Sequence, residues 1–308
     1  MAIVISRNDP AYDEAFLAGA SVAFGVFDGV HEGHRFIIGE AVASAREEGG
    51  RSAVITFDID PDEMFAADRL KKLMTNEARI AKLAELDVDA VVVLSFSRAF
   101  AAQAPADFLE ACFGGGAPRH IHIGHDFRFG DRASGNVADL RAWGAERDME
   151  VHGHDLVAEG GEPVTATRIR EELACGRVAE AAELLGRPYS VTGTVCPGRG
   201  DGRDFGFATA NLEIPPMLNV IGAGVYGCYA TVDGVRYKAA VSTGVAPMFA
   251  DRTTANIEVH ILDFDRDIYG QPIEVEFIEW LRPMIDFPTV DELIETTMGN
   301  IAWVRENL

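Results

Sequence analysis

Short apolar runs alternate with amphipathic stretches from Ser21 to Leu185, and this alternation constrains the fold more than any other feature of the chain. The apolar runs suit buried strands, whereas the stretches between them repeat apolar residues at helical spacing. Together they predict a parallel sheet with helices on both faces. The predicted strands are Ser21–Phe27, Ser52–Phe57, Asp89–Leu94, Arg119–Ile123 and Met149–His154. The predicted helices are Arg35–Glu48, Asn76–Leu86, Ala106–Cys112, Val137–Arg147, Thr167–Cys175 and Val178–Leu185.

The pattern changes at Gly186. Beyond it, short alternating runs broken by Gly, Pro and Asp predict an all-β unit, a small barrel, followed by a helix over Val290–Arg305. A chain of 308 residues is long enough for two domains, since single cores stop growing at about 250–300 residues. We therefore expect domains at residues 1–186 and 187–308. The predicted barrel strands are Val191–Val195, Val225–Val232, Val235–Thr243, Ile257–Leu262 and Ile273–Trp280.

The segment Gly25–His34 (GVFDGVHEGH) lies between the first predicted strand and the first predicted helix. Ligands of such sheets bind at the carboxyl ends of the strands, and a helix N-terminus offers N–H groups to an anion. His31 and His34 add donors that can neutralise charge on a phosphoryl group. A lone H-x-x-H more often marks a metal pair or surface histidines, but the strand–turn–helix context favours phosphate. With the preceding Phe27-Asp28, the segment also resembles the H-x-G-H motif of the nucleotidylyltransferase superfamily, which implies the same ligand.

Two other segments carry candidate ligand-binding residues, and the second of them follows a predicted strand and so falls on the same edge. Thr165–Arg170 (TATRIR) opens a predicted helix with hydroxyls and guanidinium groups that suit a triphosphate, although taken alone the segment is better explained by a Thr N-cap with solvated arginines. Gly124–Gly130 (GHDFRFG) follows a predicted strand, but its aromatic residues are more often core than ligand platforms.

The predicted barrel carries its own candidate site. Glycines between Gly193 and Asn211 permit a close approach to phosphates, although a plain surface loop also explains them. Thr209 and Asn211 offer neutral oxygens that can complete the shell of a Mg²⁺ ion held mainly by phosphates. Glu258 alternates with apolar residues on a strand, so it faces either solvent or a site where it could accept a proton.

Composition excludes several partners. A formal net charge of −22 argues against nucleic acid, since backbone binding needs a basic face. No apolar run approaches the ~18 residues of a membrane span, and the N-terminus lacks the pattern of a signal peptide. Four cysteines without a Cys-x-x-Cys pair indicate buried thiols in a reduced, cytoplasmic protein. Oligomeric state cannot be inferred from these features.

With these segments assembled, the chain resembles the bifunctional prokaryotic riboflavin kinase/FAD synthetase family over nearly its whole length. The resemblance implies an α/β Rossmann-like nucleotidylyltransferase domain followed by an all-β barrel flavokinase domain with a C-terminal helix. It implies phosphorylation of riboflavin to FMN and adenylylation of FMN to FAD, with ATP as co-substrate, Mg²⁺ as cofactor and FMN and FAD as product ligands.

The family's functional residues carry over onto matching positions. The expected catalytic residues are Glu258, His31, His34, Arg168 and Arg170. The expected ATP- and phosphate-binding residues are Gly25, Phe27, Asp28, Gly33, Thr167, Gly198, Gly200, Arg203 and Gly206. The expected flavin-binding residues are Asp126, Phe127 and Arg282, and the expected Mg²⁺ ligands are Thr209 and Asn211.

Four positions depart from the family's pattern. Ala208 replaces the proline of P-T-A-N, Ala166 replaces a serine, Met248 replaces a threonine, and Met284 stands where a carboxylate is common. None of them removes an expected acid, base or metal ligand. Three other readings stay open: an enzyme with one active module, a flavin-binding sensor without turnover, and an adenylyltransferase for another phosphate such as phosphopantetheine.

Overall fold

The computed structural model describes residues 2–10, 12–66, 71–113, 116–198, 207–218, 220–244 and 256–308. It divides into two compact units. The first comprises residues 1–70 and 74–166, and the second comprises residues 71–73 and 167–308. No helix within the described ranges is long and apolar enough to cross a membrane.

The first unit is built on a parallel sheet of six strands in the order β1-β4-β3-β2-β5-β6. The strands are β1 Ile3–Ser6, β2 Ser21–Phe24, β3 Ser52–Phe57, β4 Ala90–Leu94, β5 His120–Gly124 and β6 Glu150–His154. The helices of this unit are α1 Glu32–Glu48, α2 Pro61–Phe65, α3 Asn76–Ala84, α4 Arg98–Ala101, α5 Pro105–Phe113 and α6 Val137–Ala145. A hairpin of two short strands, β7 Ala158–Glu159 and β8 Glu162–Pro163, follows β6.

The sheet is buried on both faces. Along β3, Ala53, Ile55 and Phe57 pack with α5 and α6, while Val54 packs on the opposite face with α1 and α3. This alternation follows from the two-residue period of a strand. A strand that is apolar at every position therefore contributes side chains to the hydrophobic core on each face of the sheet, which explains the continuous apolar sequence of the central strands.

The order in which strands are added to the sheet reverses at β2, while all the strands stay parallel. Strands β3 and β4 lie on one side of β2, and the chain then crosses over so that β5 and β6 lie on the other side. The carboxyl ends of β2 and β5 are neighbours at this switch point. A crevice at such a point is where open α/β sheets bind ligands.

The second unit is a closed barrel of six antiparallel strands in the order β10-β13-β12-β11-β14-β9. The strands are β9 Tyr189–Cys196, β10 Ala210–Glu213, β11 Gly224–Val232, β12 Val235–Gly244, β13 Asn256–Ile261 and β14 Pro272–Arg282. The helices are α7 Ala166–Ala174, α8 Val178–Leu185 and α9 Val290–Asn307. Helix α9 packs on β11 and β12 through Ile301 and Val304.

Helices α7 and α8 belong to the second unit by their contacts. Helix α8 packs on β9 and β14, and Gly222 N–H donates to the Leu173 carbonyl of α7 at 2.8 Å. The structural division therefore falls near residue 166, whereas the boundary expected from the sequence, residue 186, is the point where the strand pattern changes.

Candidate active sites

The turn after β2 carries the first candidate site. Strand β2 ends at Phe24, three residues before the predicted end, because the backbone turns sharply beyond it. Phe27 and Val30 adopt positive φ angles of 63° and 44°, with Gly29 at 79° between them. A positive φ is rare for a bulky or β-branched residue and costs about 1–3 kcal/mol. Such strain is concentrated at functional sites.

His31 and His34 stack on each other where α1 begins. Their ring centroids lie 3.5 Å apart, and His31 Nδ1 accepts a hydrogen bond from His34 N–H at 3.3 Å. His31 is therefore the N-cap of α1, a position that Ser, Thr, Asp or Asn usually fills. It is 5 % exposed, and the Phe27 ring packs edge-on against His34.

Burial, together with His31 and Arg79, lowers the pKa of His34 well below its usual value. The His34 ring is therefore neutral near pH 7 and offers an N–H donor rather than a fixed cation. Within the described ranges, His34 Nδ1 is buried without a hydrogen-bond partner. A buried polar atom of this kind suits contact with a ligand.

Close packing explains two of the motif's glycines. A Cβ on Gly33 would lie 3.2 Å from the His31 ring and 3.3 Å from the Val164 carbonyl oxygen. A Cβ on Gly25 would lie 3.0 Å from the Phe27 ring. Asp28 is buried in the same turn. The turn thus keeps its shape only with small residues at these positions.

Arg79 on α3 fixes the same turn, and sequence reasoning missed it. Its side chain is fully buried and donates to the Val26 carbonyl and the Phe57 carbonyl, both at 2.7 Å. It also donates to Thr56 Oγ1 at 2.5 Å. Because Val26 follows β2 and Phe57 ends β3, one guanidinium ties the carboxyl ends of two neighbouring strands together. In the sequence Arg79 looks like an ordinary helix-surface arginine, so no local pattern marks it.

The turn after β5 lies beside the β2 turn at the switch point. Asp126 is exposed, and Phe127 is half-buried with its ring 5.0 Å from that of Phe24. A Cβ on Gly124 would lie 2.9 Å from Asp126 Oδ1. Phe127 is thus partly core, as its residue type suggested, while Asp126 is accessible at the binding edge.

Thr167, Arg168 and Arg170 lie on α7, which begins at Ala166 as the sequence predicted to within a residue. Thr167 is exposed, and the two arginines are half-buried. Helix α7 belongs to the second unit, whereas the two histidines belong to the first.

The barrel brings Asn211 and Glu258 together. They are directly opposite in the β10–β13 ladder, and Glu258 is in turn opposite Ser242 on β12. Side chains opposite each other in an antiparallel pair have Cβ atoms about 4.5–5.5 Å apart. The flanking Ile257 and Val259 are buried in the barrel, so Glu258 faces outwards beside Asn211 and is half-buried there.

Two neighbours shape this barrel site. A Cβ on Gly198 would overlap the Asn211 side-chain amide, so only glycine allows this close approach. His260 Nδ1 lies 2.9 Å from the Ala208 carbonyl oxygen and holds the segment just before Thr209. Sequence reasoning missed His260, although its position two residues after Glu258 places it on the same outer face.

Arg282 ends β14. Burial lowers the pKa of its guanidinium. The Nη1 atom donates a hydrogen bond to the Pro283 carbonyl at 3.1 Å, whereas the Nε atom is buried without a hydrogen-bond partner among the described residues. Met284 is half-buried close by in sequence.

The expected phosphate-binding residues Gly200, Arg203 and Gly206, and the departure at Met248, lie outside the described residues.

Comparison with known proteins assigns a different family to each part of the chain. The FAD synthetase family matches residues 13–168, and the riboflavin kinase family matches residues 185–308. Proteins named bifunctional riboflavin kinase/FMN adenylyltransferase match almost end to end. That of Listeria monocytogenes is 34 % identical over 89 % of this chain and 87 % of its own length. That of Haemophilus influenzae is 36 % identical over 90 % of both.

A solved structure is similar in fold over nearly its whole length. It is described as a macrolide-efflux protein from Streptococcus pneumoniae, is 27 % identical, and superposes with a TM-score of 0.82 over 99 % of both chains.

Proposed function

The chain belongs to the bifunctional riboflavin kinase/FMN adenylyltransferase family, and we propose that residues 187–308 phosphorylate riboflavin and residues 1–186 adenylylate the FMN so formed. One observation carries this proposal: residues 13–168 match the FAD synthetase family and residues 185–308 match the riboflavin kinase family. ATP is the co-substrate of both steps, and FMN and FAD are the successive products.

In the kinase step, Glu258 acts as the general base. It takes the proton of the riboflavin 5′-hydroxyl as that oxygen attacks the γ-phosphorus of ATP and ADP leaves. Its half-buried position on the outer face, beside Asn211, supports this role, since a base must reach both the hydroxyl and the nucleotide. Gly198, whose backbone approaches Asn211, would lie along the phosphates, and Arg282 with its buried Nε would contact the flavin.

The barrel site has the donors that Mg²⁺ prefers. Thr209 and Asn211 supply neutral oxygens beside a carboxylate, which suits a hard ion that keeps phosphate oxygens and water as its other ligands. When bound, Mg²⁺ neutralises charge on the phosphates of ATP. Thr209 and Asn211 would hold the ion, and His260 keeps the segment before Thr209 in place through the Ala208 carbonyl.

In the adenylyl step, a phosphate oxygen of FMN attacks the α-phosphorus of ATP and pyrophosphate leaves. The attacking oxygen is already anionic, so the protein needs to position it and to neutralise charge rather than to remove a proton. Their position at the switch point supports this role for His31 and His34, and so does the Nδ1 atom of His34, which is buried without a hydrogen-bond partner among the described residues. We assign Thr167, Arg168 and Arg170 to phosphate binding on the family resemblance, and Asp126 and Phe127 to FMN.

The test is to incubate the purified full chain with riboflavin, ATP and Mg²⁺ and to separate the flavins by chromatography. We expect FMN first and FAD later, and neither when Mg²⁺ is chelated. A second reaction that starts from FMN examines the adenylyl step alone. If neither FMN nor FAD forms from riboflavin, the proposed function is wrong.

A further inference from the structure

Four of the chain's eight histidines lie side by side on β5 and β6. His120 and His122 alternate with Ile121 and Ile123, which are buried in the core on the side of α5 and α6. The histidines therefore face α1 on the other side of the sheet, together with His152 and His154 of β6. Neither of the proposed reactions uses this histidine cluster.

Three donor atoms in the cluster converge. His120 Nδ1 lies 3.0 Å from His152 Nε2, and Glu150 Oε2 lies 3.8 Å from the first and 4.0 Å from the second. Ligands about 2.0–2.2 Å from a tetrahedral ion are roughly 3.3 Å apart, so the observed separations bracket that value. His120 is buried, whereas Glu150 is exposed and can move the short distance required.

Glu48 on α1 lies behind the buried histidine. Its Oε1 lies 3.1 Å from His120 Nε2, and its Oε2 lies 2.6 Å from Arg119 Nε. The Glu48–His120 pair is close but not aligned as a hydrogen bond, since His120 Nε2 is buried without a hydrogen-bond partner among the described residues. A small rotation of the carboxylate would let it accept the Nε2 proton, which leaves the Nδ1 lone pair for the side of His152 and Glu150. A carboxylate behind a histidine is the usual outer partner of a metal ligand in proteins.

We propose that His120, Glu150 and His152 form a binding site for one divalent transition-metal ion, with zinc as the best fit. Two imidazoles and one carboxylate suit zinc and its first-row neighbours, whereas Mg²⁺ and Ca²⁺ prefer oxygen donors alone. Water completes the shell on the exposed side. His120 and Glu150 are the first residues of β5 and β6, so the ion lies at the sheet edge opposite the carboxyl ends. There it joins the edge strand β6 to β5, and it takes no part in either reaction.

The test is a zinc titration of the metal-stripped full chain without nucleotide, in competition with a chromogenic chelator. We expect one zinc per chain. Glu150→Gln and His152→Ala should weaken binding by about 100-fold or more, and Glu48→Gln by about 10–100-fold, as for outer partners elsewhere. His125→Ala is the matched control: it removes an exposed histidine next to β5 but outside the cluster, and binding should not change.

Two further measurements distinguish loss of zinc binding from loss of the folded structure. Circular dichroism checks each variant, and Glu150→Gln changes only an exposed side chain. Zinc should also raise the Tm of the wild-type chain but not that of Glu150→Gln. The proposal is wrong if the wild type binds no zinc, if Glu150→Gln and His152→Ala bind it as tightly as the wild type, or if only His31→Ala abolishes binding.

Discussion

Glu258 on β13 lies directly opposite Asn211 on β10, and both side chains point to the outer face of the barrel. This pairing puts a carboxylate beside a side-chain amide, which suits the proposed roles of Glu258 as base and Asn211 as a ligand of Mg²⁺. Replacing Glu258 with Gln keeps the size of the side chain but removes the proton acceptor. FMN formation should fall by about 10²–10⁴-fold, the usual share of general-base catalysis. Conversion of supplied FMN to FAD should be unchanged.

Chromatography of flavins from both reactions measures this effect. Glu274→Gln is the control, because Glu274 is an exposed carboxylate on β14, which pairs with β11 and β9 and not with β10 or β13, and its loss should affect neither reaction. Loss of both activities in folded Glu258→Gln protein would contradict the assignment of two separate sites.

Gly198 offers a second test of the barrel site. A Cβ there would overlap the Asn211 amide, so Gly198→Ala must displace Asn211 or the preceding loop. We expect the KM for ATP to rise in the riboflavin reaction, with FAD formation from FMN unaffected. Gly299→Ala on α9 is the matched control, since nothing lies within 4 Å of its Cβ position. Alanine in a helix should even stabilise the chain slightly. Equal kinetics for Gly198→Ala and wild type would show that the contact is unimportant.

The sequence predicted the central strands because each is an apolar run buried on both faces. It missed β1, whose Ile3 is 62 % exposed at the sheet edge, and β10, whose residues Ala-Asn-Leu-Glu have no strand pattern of their own. Strand β10 forms because β9 and β13 pair with it on both sides. This strand therefore depends on tertiary contacts, which the propensities of its own residues do not predict.

The residues of the candidate sites also fall into two groups, those that a local sequence pattern marks and those that only the fold brings together. The histidine turn and the Thr209–Asn211 segment are each continuous in sequence, so a local pattern marks them. Arg79 acts on Val26 and Phe57, which are 53 and 22 residues away, and only the fold reveals that contact. The pairing of Asn211 with Glu258 depends on strand register, which spacing alone does not fix.

His31 has one structural role and one proposed chemical role, which substitution can separate. As the N-cap of α1 it accepts a hydrogen bond from the His34 N–H, and in the proposed adenylyl step its imidazole contacts the phosphates of ATP. His31→Ala should lose both roles, with a cost of about 0.5–2 kcal/mol in stability. His31→Asn should restore the cap and the stability but not FAD formation. Thermal unfolding and FMN-to-FAD turnover measure the two effects. Recovery of turnover in His31→Asn would show that the imidazole is dispensable.

Arg79 should matter for the shape of the turn rather than for chemistry. Arg79→Met fills a similar volume but leaves the Val26 and Phe57 carbonyls without their donor. Leaving a buried acceptor without its donor costs about 1–3 kcal/mol. Hydrogen exchange read by mass spectrometry should show lost protection in peptides of β2 and β3, but not in those of the barrel. Arg98→Met, which removes an exposed arginine, is the control, and unchanged exchange in Arg79→Met would refute the positioning role.

The lowered pKa of His34 should make the stability of the first unit depend on pH. Burial, His31 and Arg79 hold its folded pKa well below the unfolded value of about 6.5. Between these two values the unfolded chain binds the proton and the folded chain does not, so the contribution of His34 to stability is complete above about pH 6.5 and decreases as the pH falls. The decrease is at most about 1.4 kcal/mol per pH unit for one group. Trp143 fluorescence, in a chain with Trp280→Phe and Trp303→Phe, reports unfolding of the first unit. The stability difference between this chain and its His34→Gln derivative should shrink from pH 7 to pH 5, and a difference that is constant with pH would mean that His34 does not titrate as described.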